Sequence, residues 1–317
     1  MNKKNNIALI GYGNWGKNIA RNLSNMEVLA CIYDHDQTIS KKTSNEFKLP
    51  CLTFGEILSN KNIKAVIIAS NAETHKDLAV EALLNDKDVL IEKPFCLSLS
   101  DAKIISKLAV EKKKILMVGH LLNYHNAFIK MKSFIEEGKI GSIKNIRANR
   151  LALGAIRSNE SVIYDLAAHD ISMILSILKN LPNDLSVQSI HHNLNKGPDA
   201  INVKLSFNGG VTALISSDWM CPYKEHKFSV IGSNGSLIFD DTKDWSNKLY
   251  FNPSTINPDN SIKIAKTEKI SVNENEPLKN ELDEFIDSIE SRKSPLTDHK
   301  EAIKVQTVME MIQKKLG

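Results

Sequence analysis

Ile7-Ala8-Leu9-Ile10-Gly11-Tyr12-Gly13-Asn14-Trp15-Gly16 decides the fold. Four apolar residues run into a G-x-G-x-x-G pattern, and helical patterning follows it. Strand, glycine turn and helix together are the context in which this pattern binds a dinucleotide. Gly11 permits the tight turn, Gly13 lets the backbone approach a pyrophosphate, and Gly16 lets helix and strand pack closely. The amides of Asn14 and Trp15 then present a helix N-terminus to the anion. A plain strand-to-helix turn is the competing reading, and the context weighs against it.

Outward from this stretch, the first 120 residues alternate short apolar runs with amphipathic ones. Ile7–Ile10, Val28–Ile32, Ala65–Ala69, Val89–Ile91 and Ile115–Val118 read as buried strands. Each is continuous rather than alternating, as in a parallel sheet covered on both faces. Helical patterns lie between them, at Thr74–Leu84 and at Ser100–Val110, with Ser100-Asp101 as the expected cap. The result is an α/β domain, a doubly wound parallel sheet that binds its ligand at the carboxyl ends of the strands.

Beyond residue 120 the texture changes. A helix is predicted over Asn126–Glu137, a strand over Ser142–Leu151 and a helix over Tyr164–Leu178. Strand-like runs then follow at Ala200–Phe207, Val211–Trp219, Lys227–Ile231 and Ser236–Phe239, split by turn pairs such as Asn208-Gly209 and Asn234-Gly235. Strands joined by tight turns imply an antiparallel sheet and an α+β second domain. Residues 252–276 read as an exposed hairpin or loop, and two helices, Pro277–Ser291 and Lys300–Lys315, close the chain. The expected division is 1–120 for a Rossmann domain and 121–317 for a substrate-binding and oligomerisation domain.

The chain has 317 residues, 42% hydrophobic and 25% charged, with a net charge of +4. So small a charge argues against a dedicated nucleic-acid binder. No apolar run reaches the roughly 18 residues of a membrane helix, and a cytoplasmic location is expected. Cys31, Cys51, Cys96 and Cys221 are far apart and lack zinc-ligand spacing, so reduced, mostly buried thiols and no metal are expected. The 41 basic residues include only five arginines, three of which (Arg147, Arg150, Arg157) fall within eleven residues. Guanidinium forks suit diphosphate or carboxylate oxygens, and scaffold salt bridges are an equal alternative.

Other residues could carry chemistry. Asp34 ends the second strand, where a carboxylate accepts hydrogen bonds from an adenosine ribose; this favours NAD over NADP. Asp36 competes for that role, and no arginine follows to take a 2′-phosphate. Glu92-Lys93-Pro94 ends the Val89–Ile91 strand at the ligand edge. Like charge from a nicotinium beside Lys93 would favour the neutral amine, suiting a group that handles a hydroxyl proton. Asp165 and His169 are spaced i, i+4 and share a helix face, where an imidazole can accept that proton. His75 is placed to touch the cofactor. His120, His125, His191, His192 and His226 read as structural.

These residues together resemble the Gfo/Idh/MocA oxidoreductase family over essentially the whole chain. The resemblance rests on Gly11-x-Gly13-x-x-Gly16, Thr74-His75-x-x-Leu78-Ala79, Glu92-Lys93-Pro94-Phe95, Gly119-His120 and Asp165-x-x-x-His169-Asp170. It implies that Lys93, Asp165 and His169 form the catalytic group of a sugar dehydrogenase, facing nicotinamide across an interdomain cleft. It also implies a large, mainly antiparallel sheet in the second domain that mediates homodimers or homotetramers. Within the family, Gly11–Asn18 and Asp165–Ser172 resemble members from bacterial polysaccharide clusters. Those act at the 3-hydroxyl of UDP-linked N-acetylhexosamines or their uronic acids. A free sugar or cyclitol substrate, or a non-catalytic NAD(P)-sensing subunit, are the alternatives. The expected cofactor contacts are Gly11, Gly13, Asn14, Trp15, Gly16, Asp34, Ser70, Asn71, His75, Glu92 and Lys93. The expected substrate contacts are Lys93, Tyr124, Arg150, Arg157, Asp165 and His169.

Overall fold

The computed structural model describes residues 6–154, 161–191, 197–256, 259 and 261–316. The chain divides into two compact units. The first comprises Met1–Leu121 and Leu278–Gln306, the second Leu122–Pro277 and Thr307–Gly317.

The first unit is a five-stranded parallel sheet flanked by helices. In chain order its elements are β1 (Ile7–Ile10), α1 (Asn14–Asn25), β2 (Leu29–Tyr33), α2 (Gln37–Phe47), α3 (Phe54–Ser59), β3 (Ala65–Ile68), α4 (Ala72–Leu84), β4 (Asp88–Ile91), α5 (Leu99–Glu111) and β5 (Leu116–Val118). The strand order is β2-β1-β3-β4-β5, all parallel. This is the doubly wound sheet expected from the continuous apolar runs, and β1, β3 and β4 are buried along their whole length. Helix α1 buries Gly16, Ile19, Ala20 and Leu23, the i, i+3, i+4, i+7 stripe of a core-facing helix. The cap of α5 is Ser98, not the expected Ser100. Its hydroxyl accepts the Asp101 amide at 3.1 Å and donates to the Asp101 carboxylate at 2.8 Å, so the cap lies two residues earlier and the helix begins at Leu99.

The second unit begins with α6 (Asn126–Glu136). His125 caps it: Nδ1 accepts the Ala127 amide at 3.1 Å, which places the ring proton on Nε2, 3.4 Å from Asp241. Then come β6 (Ile143–Leu153), a π turn over Ile163–Ala167, α7 (Ala168–Leu178), β7 (Asp184–Ile190), β8 (Ala200–Ser206), β9 (Thr212–Asp218), β10 (Met220–Gly232), β11 (Gly235–Asp240) and β12 (Leu249–Asn252). These strands and the short edge strand Glu268–Lys269 form one eight-stranded sheet, which from that edge runs β12-β11-β10-β6-β9-β8-β7. Every neighbouring pair is antiparallel except β6 and β9. One face carries Ile146, Ala148, Val203, Leu205, Ala213, Ile215, Phe228 and Val230, all buried. The cross-strand row Ser229–Arg147–Leu214–Lys204–Ser186 lies on the other face. Period-2 alternation therefore gives this sheet one core face and one open face.

The C-terminal helices α8 (Pro277–Ser291) and α9 (His299–Leu316) depart from the expected division at residue 121. Leu278–Gln306 belongs to the first unit because its contacts are there. The Thr297 hydroxyl donates to the Val118 carbonyl at 2.7 Å, Arg292 forks onto Asp88 at 2.7 and 3.0 Å, and Ala302 joins the Rossmann core. Helix α8 buries Leu278, Leu282 and Phe285 on one stripe. Phe285→Ala is accordingly expected to cost about 3–5 kcal/mol in urea unfolding. Ile264→Ser, on an exposed segment, should stay within about 0.5 kcal/mol. Equal effects of the two would show that α8 is not part of this core.

Candidate active site

In the first unit, the turn after β1 is shaped as the glycine pattern requires. Gly11 has φ +99°, and a Cβ there would stand 2.7 Å from the Ala69 carbonyl oxygen; at Gly16 a Cβ would collide with the carbonyl oxygen of Gly11. Beside Gly13 there is open space. Gly13 is the N-cap of α1 and offers no side-chain cap, so the first-turn amides, including those of Asn14 and Trp15, keep their anion-binding capacity. Asp34, directly after β2, is buried. Its Oδ2 accepts the Tyr12 amide at 2.8 Å and its Oδ1 the Asp36 amide at 3.0 Å, with His35 Nδ1 at 3.0 Å. Asp36, the competing carboxylate, is instead the cap of α2, accepting the Thr38 amide at 2.8 Å. This cradle of glycines, free helix amides and an anchored carboxylate fits an NAD dinucleotide. Ser70 and Asn71 follow β3 at the same edge of the sheet, and Asn71 stands at the N-cap of α4 without using its side chain there.

Glu92, Lys93 and Pro94 follow β4, so they too leave the carboxyl edge. The Glu92 carboxylate accepts the Trp15 indole N–H at 2.6 Å through Oε1 and the Lys93 amide at 3.2 Å through Oε2. Gly119 makes room for it, since a Cβ there would lie 2.8 Å from Oε2. Lys93 is half-buried. His75, expected as a cofactor contact, is 1% exposed, with Nδ1 2.8 Å from the Pro94 carbonyl and Nε2 3.1 Å from the Ser70 carbonyl. Burial lowers its basicity. Its ring is packed between the two loops that carry Ser70 and Lys93, and as a neutral imidazole it donates its one N–H to one of these carbonyls. Cys96 is a buried thiol that burial pushes up to about 12. Cys51, by contrast with the expectation for the thiols generally, is exposed.

In the second unit, Asp165 sits in the π turn and His169 in the first turn of α7. The expected uninterrupted helix is thus widened by one residue per turn where Asp165 lies, a feature frequent at functional sites. Asp165 is buried, and its Oδ2 accepts the indole N–H of Trp219 at 3.0 Å; His169 is half-buried. Asp170 is 2% exposed and accepts a fork from Arg150, 9% exposed, at 3.2 Å from Nε and 3.1 Å from Nη2. His226, opposite Arg150 in the β6–β10 ladder, is brought down to about 4 by burial and by that guanidinium. Arg150, expected as a substrate contact, therefore spends its fork on the scaffold, because an unpaired buried Asp170 would be costly. Arg147 is exposed and Arg157 lies outside the described residues. Tyr124, in a short 3₁₀ turn, is buried, and its carbonyl accepts from Asn275 at 3.1 Å. Trp219 and the Arg150–Asp170 pairing were not legible in the sequence, since both join residues far apart in the chain through the sheet. Among the described residues no group of three or more His, Cys, Asp or Glu could hold a metal, and no helix is long and apolar enough to cross a membrane.

This fold and site define an NAD-binding oxidoreductase. Residues 5–120 match the model of an oxidoreductase family with an NAD-binding Rossmann fold, and residues 128–238 match the C-terminal domain of the same family. The chain belongs to the Gfo/Idh/MocA oxidoreductase family. It is 25% identical over 256 residues to the 2,7-anhydro-N-acetylneuraminate hydratase of Escherichia coli (74% of this chain, 67% of the relative). It is 25% identical over 250 residues to the NAD⁺-dependent scyllo-inositol 2-dehydrogenase of Bacillus subtilis (73% and 72%). In fold it is similar to UDP-N-acetylglucosamine 3-dehydrogenase GnnA from Acidithiobacillus ferrooxidans, with a TM-score of 0.86 over 98% of this chain and 97% of that one at 20% identity. The activity is that of an oxidoreductase, of the kind in which the scyllo-inositol 2-dehydrogenase acts on a CH–OH group.

The Arg150–Asp170 fork gives a direct test. Arg150→Met strands a buried carboxylate and is expected to cost about 3–5 kcal/mol in urea unfolding, with most of the loss recovered when Asp170→Leu is added. Additive losses in the double variant would show that the two side chains do not work as a pair.

Proposed function

We propose that this protein is an NAD-dependent dehydrogenase of a nucleotide-linked amino sugar. The reaction is oxidation at C3 of a UDP-linked N-acetylhexosamine or its uronic acid, in the making of bacterial surface polysaccharide. The observation that carries the reading is the joint presence of Lys93, at the carboxyl edge of the dinucleotide sheet, and the Asp165–His169 pair, with Asp165 fixed by Trp219. The fold likeness to a UDP-N-acetylglucosamine 3-dehydrogenase extends over nearly the whole chain and supports the substrate class. NAD, when bound, supplies the acceptor for the hydride that leaves the carbinol carbon.

Asp34 is the residue that would hold the adenosine ribose, and the α1 amides the pyrophosphate. Lys93 donates a hydrogen bond to the reacting hydroxyl, and His169 takes its proton. Asp165 orients the imidazole or a neighbouring hydroxyl and cannot swing away while Trp219 holds its Oδ2. A cyclitol dehydrogenase is the second reading. It is favoured by the inositol-oxidising relative and by the commitment of Arg150 to Asp170, which removes one fork from any diphosphate site. We further propose a homodimer or homotetramer, supported by the broad open face of the eight-stranded sheet.

Lys93→Ala and His169→Ala are each expected to lower kcat by roughly 10²–10⁴-fold with NADH affinity within a few-fold of wild type. Wild-type turnover in both would refute the assignment. Thermal shift with NADH present separates the substrates: UDP-N-acetylglucosamine or its uronic acid should raise Tm and scyllo-inositol should not. The reverse pattern would establish the cyclitol reading.

A further inference from the structure

Helix α8 carries an ionisable residue in the middle of its apolar stripe. Its buried face reads Leu278, Glu281, Leu282, Phe285 and Ser288, and Glu281 is 1% exposed. Oε1 of Glu281 is wholly enclosed and has no hydrogen-bond partner among the described residues. A carboxylate so placed would be desolvated without compensation. The charge that bears on it is another carboxylate, Glu92, itself 8% exposed. Burial raises the Glu92 carboxyl too, but Glu92, unlike Glu281, has groups that favour its ionised form: the Trp15 indole, the Lys93 amide and the nearby Lys93 and His120 side chains. His120 Nδ1 is in turn 2.6 Å from Glu301 of α9. All these groups lie in the first unit.

Two buried carboxyls of unequal surroundings cannot both ionise at low cost, and the one with partners takes the charge. We propose that Glu281 is a positioning residue of the dinucleotide site: Glu92 and Glu281 form a buried pair carrying one proton between them, held on Glu281, so that Glu92 stays the anion that anchors Trp15 and the Lys93 amide. Burial and the neighbouring Glu92 hold the Glu281 carboxyl well above the usual carboxylate range. Removing its proton sets a second negative charge beside Glu92 and loosens the Trp15 anchor at the Gly13–Gly16 turn. Because the folded-state affinity for that proton is raised, the corresponding stability is complete at acid pH and is lost as pH rises from the ordinary glutamate range upward.

The inference rests on reading the Gly11–Gly16 turn as the dinucleotide site, but its test needs no cofactor, so its failure leaves that reading standing. Infrared spectra of the wild-type protein at pH 7.5 are expected to contain a protonated-carboxyl C=O band that is missing from Glu281→Gln. The Tm of Glu281→Gln relative to wild type should rise steadily between pH 5 and 9. Wild-type tryptophan fluorescence should change on the alkaline side, and this change should be abolished both by Glu281→Gln and by Trp15→Phe. Absence of a protonated carboxyl in the wild type at pH 7.5 overturns the proposal, and that measurement decides even if Glu281→Gln does not fold. Parallel Tm–pH curves for the two proteins overturn it as well.

Discussion

The Glu92 carboxylate joins three segments that the chain delivers separately to the carboxyl edge of the parallel sheet. Through Trp15 it holds the first turn of α1, through the Lys93 amide it fixes the start of the Lys93 loop, and against Gly119 it fills the space left after β5. The dinucleotide turn, the lysine and the end of the last strand thus share one anion. This explains why a charge is tolerated where the strand has just emerged from a wholly buried run. Its two hydrogen bonds offset part of a desolvation that would otherwise be prohibitive. His75 works in the same region by a different route. It lies between the carbonyls of Ser70 and Pro94 and donates its one N–H to one of them, so an imidazole packs between the loops after β3 and β4 while those after β1, β4 and β5 meet at a carboxylate.

The second unit solves a similar problem with its sheet. The segment bearing Asp165, His169 and Asp170 is attached on both sides of His169. Trp219, between β9 and β10, bonds Asp165, and Arg150 on β6 forks onto Asp170. An imidazole proposed to take a proton in a defined geometry would gain from rigid neighbours, and side chains mounted on strands are more precise anchors than loops. The π turn is compatible with this. One extra residue per turn re-aims Asp165 toward Trp219 without breaking the helix that follows.

Much of this was legible in the chain. The five parallel strands read directly because a strand buried on both faces is a continuous apolar run. The glycine turn read directly because each glycine has its own steric reason. β7, with the sequence Asp-Leu-Ser-Val-Gln-Ser-Ile, escaped because its outward positions are polar and only Leu185 is fully buried on its inward face. The parallel β6–β9 pairing, the π turn and the return of Leu278–Gln306 to the first unit are products of non-local packing, to which periodicity is blind. Likewise Asp165 and His169 follow from i, i+4 spacing, but Trp219 lies 54 residues from the carboxylate it bonds.

The arginines show how linear proximity misleads. Arg147 and Arg150 are three apart on a strand, and a strand turns successive side chains to opposite faces, so an odd spacing separates them. Arg147 accordingly projects from the open face in the row with Leu214 and Lys204, while Arg150 enters the core face and meets Asp170. Of the three clustered arginines, the two among the described residues are unrelated guanidinium groups, one solvated and one paired with a buried carboxylate. The pair Arg150–Asp170 adds no net charge near His169. Two donors of Arg150, Nε and Nη2, are committed to Asp170, so the arginine count by itself is no argument for an anionic sugar.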